Sequence, residues 1–255
     1  MFTLASMKNY RFLVLLLFPF HAFSQAGLRD SSISMTMVIP GYSFQVPFGD
    51  LSKRFGANSN LGLNVIYKNR HKWMVGVQGG FLFGNKVEQN NLFSNLVSSS
   101  GYLLGIDGRF ADVRTFERGF SVTACGGKLF SKAKPNPNCG FFFLIGGGFL
   151  QHKIRIEDKN KVMPALVDDY KKGYDRLANG WCLQQSVGYI YLSNHRLINF
   201  FGALECMQGF TKSRRNYNFD DLVQVTEKRT DILLGLRIGW VLPIFKASPE
   251  KYYLY

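Results

Sequence analysis

From about residue 38 onward, large apolar side chains alternate one by one with small or polar ones in runs of roughly ten residues. In the run Leu61 to Tyr67, the residues Leu61, Leu63, Val65 and Tyr67 share one parity, with Gly62 and Asn64 on the other. In the run Trp73 to Phe83, Trp73, Val75, Val77, Phe81 and Phe83 alternate with Gly76, Gln78 and Gly80. In the run Asp231 to Phe245, Ile232, Leu234, Leu236, Ile238, Trp240 and Leu242 oppose Gly235, Arg237 and Gly239. Five further runs repeat the pattern: 38–46, 119–130, 139–156, 181–192 and 197–209. A period of two with one fatty face predicts strands.

The character of the second face selects the fold. It is small and polar, rich in Gly, Ser, Thr and Gln, whereas a soluble sandwich packs its large apolar residues inward. Large residues against lipid and small polar ones around a narrow lumen fit a transmembrane barrel, whose strands need only about 9–11 residues to cross. We therefore expect an all-β fold: an eight-stranded antiparallel transmembrane β-barrel over residues 25–245, located in the cell outer membrane. The connections agree. Those over 68–72, 131–138 and 193–196 are short, those over 47–60, 84–118, 157–180 and 210–230 are long, and the two kinds alternate. Short turns belong on the periplasmic side and long loops outside the cell. An alternating stretch at 101–110 inside the second long loop leaves a count of ten strands open. Aromatic residues gather at the run ends, with Tyr67, Trp73, Phe130, Tyr189 and Tyr191 near the short turns and Phe81, Phe83, Phe149 and Trp181 near the long loops. Such girdles sit at headgroup level.

The first residues read differently. Lys8 and Arg11 precede the apolar stretch Phe12 to Phe20, and Ala22-Phe23-Ser24 supplies small residues where a signal peptidase cuts. This predicts a signal peptide over residues 1–24. Its removal takes two basic residues and lowers the formal charge from +14 to +12. In an exported chain this excess points to the lipid bilayer and the anionic groups of lipopolysaccharide rather than to nucleic acid. Cys125, Cys139, Cys182 and Cys206 each lie in or beside a strand run without tight spacing, so free thiols are expected.

Candidate chemistry is sparse. Glu205 and Arg237 fall on inward faces of adjacent strands, and with Lys128 they predict a lumen charge network, since buried charges must be paired. His152 lies late in its strand with Asp158, Asp168 and Asp169 downstream, which could assemble a Ser–His–Asp arrangement. No nucleophile-elbow, metalloprotease or paired Cys/His spacing accompanies it, so we expect no enzyme, cofactor or metal site. The triplet Gly146-Gly147-Gly148 reads as room for a neighbouring inward side chain. Lys171, Lys172, Tyr174 and Arg176 in the third long loop, with Arg214 and Arg215 in the fourth, combine basic and aromatic character and are candidate loop-binding residues. The first long loop has apolar residues at helical spacing over 48–56, which suits a helical turn capping the lumen. Residues 246–255 follow the last run as a C-terminal periplasmic tail, and Tyr252, Tyr253 and Tyr255 are candidate contacts for a periplasmic protein partner.

Four stretches carry a family resemblance: Gly49-Asp50-Leu51 with Arg54-Phe55-Gly56, residues 151–158, residues 170–177 and residues 235–240. In these the chain resembles the PorG-like small outer-membrane barrels of Bacteroidota associated with the type IX secretion apparatus. The resemblance implies an anchor or accessory subunit in protein secretion or gliding, docking a periplasmic partner. It implies no catalytic residue.

Overall fold

The computed structural model describes residues 31–245 except 90, 100, 132–135, 161, 194–197, 216, 221 and 225–227. The expected signal peptide and the tail with Tyr252, Tyr253 and Tyr255 lie outside the described residues.

Eight strands follow one another: β1 (Met35–Gly49), β2 (Asn58–Lys68), β3 (Trp73–Gly84), β4 (Val113–Phe130), β5 (Gly140–Asp158), β6 (Ala178–Leu192), β7 (Asn199–Ser213) and β8 (Lys228–Trp240, continued after Val241 as Leu242–Phe245). Each pairs antiparallel with the next. β1 also pairs antiparallel with β8, from Gly41 opposite Gly239 to Gly49 opposite Asp231, and this closes the barrel. Closure leaves no unpaired sheet edge, the condition for backbone to survive in hydrocarbon.

The alternation sets which face meets lipid. Leu61, Leu63, Val65, Val75, Val77, Leu234, Leu236 and Ile238 are exposed on the outer wall. Their chain neighbours Asn60, Asn64, Gln78 and Arg237 are buried inside. Trp73, Phe130, Phe141 and Trp240 form the lower girdle, and Phe81, Phe120, Phe149, Trp181 and Phe210 the upper one.

Two expectations are corrected. The stretch 101–110 forms only isolated bridges, Val97 to Leu103 and Leu104 to Phe110, so the barrel has eight strands and not ten. The lumen is not small and polar throughout. Met35, Met37, Ile66, Phe142 and Phe201 fill its periplasmic end, and Leu51, Phe55, Leu82, Leu150 and Leu233 fill the end under the long loops. The expected polar lining holds in the middle and continues among the upper apolar residues at His152, Thr211 and Asp231. An eight-stranded barrel is just wide enough for its own side chains, so its wide ends need larger ones. At Gly146, an added Cβ would come 2.5 Å from the Ala124 carbonyl oxygen and 3.0 Å from the Cβ of the inward Cys125, so the room there goes to the β4 backbone together with that side chain.

Candidate functional site

Between the two apolar plugs, polar side chains bridge the lumen. Thr123 Oγ1 donates to Gln184 Oε1 at 2.8 Å, and Gln184 Nε2 donates to Glu205 Oε1 at 3.4 Å. Arg237 Nε lies 3.0 Å from Glu205 Oε2, an ion pair by distance although its N–H is not aligned for a hydrogen bond. Arg237 Nη1 then donates to Asn64 Oδ1 at 2.9 Å. This chain ties together β4, β6, β7, β8 and β2. Gly62 makes it fit: a Cβ there would sit 2.8 Å from Arg237 Nη1. Lys128 is not part of the network. Its parity turns it outward, where Nζ stands 5.3 Å from the centre of the Trp73 ring in the lower girdle. That cation–π contact suits a lysine at headgroup level.

A second buried cluster lies higher in the lumen. His152 Nε2 is 2.9 Å from Asp231 Oδ2, and Thr211 Oγ1 donates to the same oxygen. Phe55 sets its edge against the imidazole with ring centres 5.8 Å apart. The partner carboxylate of His152 is therefore Asp231 and not Asp158, whose Oδ2 accepts from the Met163 backbone N–H. Sequence reasoning missed Asp231, although it shares the inward parity of Arg229, Leu233 and Arg237. With His152 and Asp231 sealed beneath Leu51 and Phe55, the cluster offers substrate no approach.

Among the described residues, no water path follows the axis. Asn64, Asn60 and Ser43 are 0% exposed, Thr123 1% and Arg237 3%. A water-filled channel would leave these inward residues accessible.

The long loops close the outer mouth as one cap. In the first, Leu51 and Phe55 point into the lumen around a 3₁₀ turn at Leu51–Lys53, as the helical spacing predicts. Asp50 accepts from Lys53 Nζ and from the Thr230 backbone N–H, and these bonds hold its carboxyl below the usual range. Arg176 Nη2 donates to Asp220 Oδ2 at 2.7 Å, while Asp220 Oδ1 accepts from the Phe93 backbone N–H. Asn95 Nδ2 donates to the Tyr174 hydroxyl and to the Phe219 carbonyl. Arg215 binds Asp175 through two nitrogens.

The six loop residues expected to bind a ligand thus divide. Tyr174, Arg176 and Arg215 are spent inside the cap, and burial pushes the Tyr174 hydroxyl up. Lys172 pairs with Asp169 and Arg214 Nε donates to Asn179 Oδ1, while Lys171 is half-buried. The reason is local: a dense loop needs internal partners for its own backbone and charges.

At the periplasmic end, Lys68 Nζ donates to the Ile33 carbonyl at 2.7 Å, to Ser32 Oγ and to Asn138 Oδ1. This folds residues 31–33 under the mouth. The four cysteines are free. Among the described residues, no cluster of His, Cys, Asp or Glu could hold a metal ion.

A closed eight-stranded barrel with a lipid-facing apolar wall, two girdles, short turns at one end and long loops at the other is an outer-membrane barrel. No protein-family model matches the chain, and no curated protein does. Among solved structures, it is similar to the attachment invasion locus protein Ail of Yersinia pestis in complex with the heparin analogue sucrose octasulfate. That match has 13% identity, 82% of this chain and 99% of the other covered, and a TM-score of 0.41. Neisserial surface protein A matches with 10% identity over 80% of this chain and 96% of its own, at a TM-score of 0.40. The outer-membrane protein OprG of Pseudomonas aeruginosa matches with 14% identity over 83% and 98%, at a TM-score of 0.38.

Proposed function

We propose that this protein is a non-transporting, non-enzymatic barrel that holds a fixed place in the outer membrane, as an anchor or accessory subunit of an envelope machine. The sealed lumen carries this reading. Side chains fill both mouths and brace the middle, so the barrel serves by position rather than by conducting. The PorG-like stretches at 49–56, 151–158, 170–177 and 235–240 favour the type IX protein secretion or gliding apparatus of Bacteroidota as that machine. A periplasmic protein partner would meet the short turns and the tail at Tyr252, Tyr253 and Tyr255.

A second reading has its own observation. The second, third and fourth long loops interlock through Arg176, Asp220, Asn95 and Asp175, and an ordered cap suits a stand-alone structural or adhesive barrel facing outward. Affinity purification from detergent-solubilised membranes separates the two. The anchor reading expects a periplasmic protein recovered in stoichiometric amount, lost when residues 246–255 are removed. Recovery of the barrel alone favours the surface reading.

A further inference from the structure

The long strands β4 and β5 rise above the upper girdle, and their outward residues change character there. On β4 the outward set passes from Val122 and Phe120 to Arg118. On β5 it passes from Phe149 through Gln151 to Lys153 and Arg155. The register sets Arg118 directly opposite Lys153. Across the wall, Lys212 of β7 sits directly opposite Lys228 of β8, one outward step above Phe210. Like charges directly opposite on one sheet face repel. Among the described residues no ion pair relieves these four; Arg118 lies over the Phe116 ring and donates to the Glu117 carbonyl. Arg155 is matched by Glu157. Followed from Arg118 onto β3, β2 and β1, the register meets Phe83, Ser59 and Phe44 and no charge.

Two opposed cation pairs above an aromatic wall form a site waiting for an anion that also has acyl chains. Neighbouring strands lie about 4.8 Å apart, a span one phosphate bridges between an arginine and a lysine. We propose that the outer wall at Arg118–Lys153 and Lys212–Lys228 binds the phosphate groups of lipopolysaccharide in the outer leaflet. The fatty chains would lie below on Phe120, Phe149, Trp181 and Phe210. This places the lipopolysaccharide contact expected of the basic excess on the strands, because Arg176 and Arg215 are consumed in the cap. It does not rest on the proposed function.

The folded protein in detergent can be titrated with a bisphosphorylated glucosamine-disaccharide lipid and bound copies counted by native mass spectrometry. The unmodified protein should retain the lipid, and the same lipid without phosphates should bind at least about tenfold more weakly. Arg118→Gln/Lys153→Gln and Lys212→Gln/Lys228→Gln should each weaken binding by about that factor, while Arg118→Lys/Lys153→Arg and the periplasmic-turn variant Arg70→Gln should not. Millimolar inorganic phosphate should fail to displace the lipid. Equal binding of the dephosphorylated lipid, or full binding by both glutamine pairs, would overturn the proposal. Displacement by inorganic phosphate would overturn it as well, since the site would then take a free anion. Unchanged heat-modified mobility in gels shows which variants are folded.

Discussion

Arg237 is buried among Glu205, Asn64 and Gly62, and the pair it makes is one whose loss should be felt. Removing one partner of a buried ion pair leaves an uncompensated charge and costs about 3–5 kcal/mol, whereas replacing both can be nearly neutral. Arg237→Met alone should therefore lower the urea midpoint of the lipid-embedded protein sharply. The double variant Arg237→Met/Glu205→Gln should recover most of that loss, and equal losses in both would show that the charges are independent. Parity alone turns Glu205 and Arg237 inward. It also turns Lys128 outward, since Lys128 shares the even numbering of Phe120, Val122 and Ala124, so its place was legible. The partners Gln184, Thr123 and Asn64 were not legible, because contacts across a lumen depend on the stagger of strands far apart in sequence.

At the scale of elements, the strands inside the bilayer are legible because lipid demands an apolar outer face. Arginine near the midplane of that face costs about 2–4 kcal/mol, falling to about 0–1 near the interface. Val77→Arg and Leu236→Arg should each destabilise the folded barrel by the larger amount and Thr230→Arg by little, as read by equilibrium unfolding in lipid vesicles. Similar effects at all three positions would contradict the assigned lipid face. The extension of β4 down to Val113 escaped the pattern, because a strand above the membrane has no reason to keep an apolar outer side, whereas the run on β5 reaches Ile156, two residues short of its end at Asp158. The cap was equally hidden: Arg176 finds Asp220 and Tyr174 finds Asn95 in other loops, at separations no local pattern encodes. Arg176→Met strands Asp220 without this buried partner, and the loss should fall on the cap. Limited proteolysis should then cut within the long loops while the barrel keeps its heat-modified mobility; a cap as resistant as before would show that the pair contributes little.

For the whole molecule, the arrangement is a cylinder braced across its waist and stopped at both ends. Met35, Phe142 and Phe201 close it below, Leu51, Phe55 and Leu233 close it above, and the chain from Thr123 to Asn64 ties opposite walls between them. That the middle of the lumen is polar follows from the second face of each run. That its ends are apolar does not, because Met35 and Phe142 read in sequence like any other apolar residue beside a strand end. The functional reading depends on those plugs. Single-channel recording of the purified, folded protein in a planar bilayer measures them directly. The account predicts a quiet membrane with no stepwise conductance at moderate voltage; a steady ion current with reproducible unitary steps would contradict it.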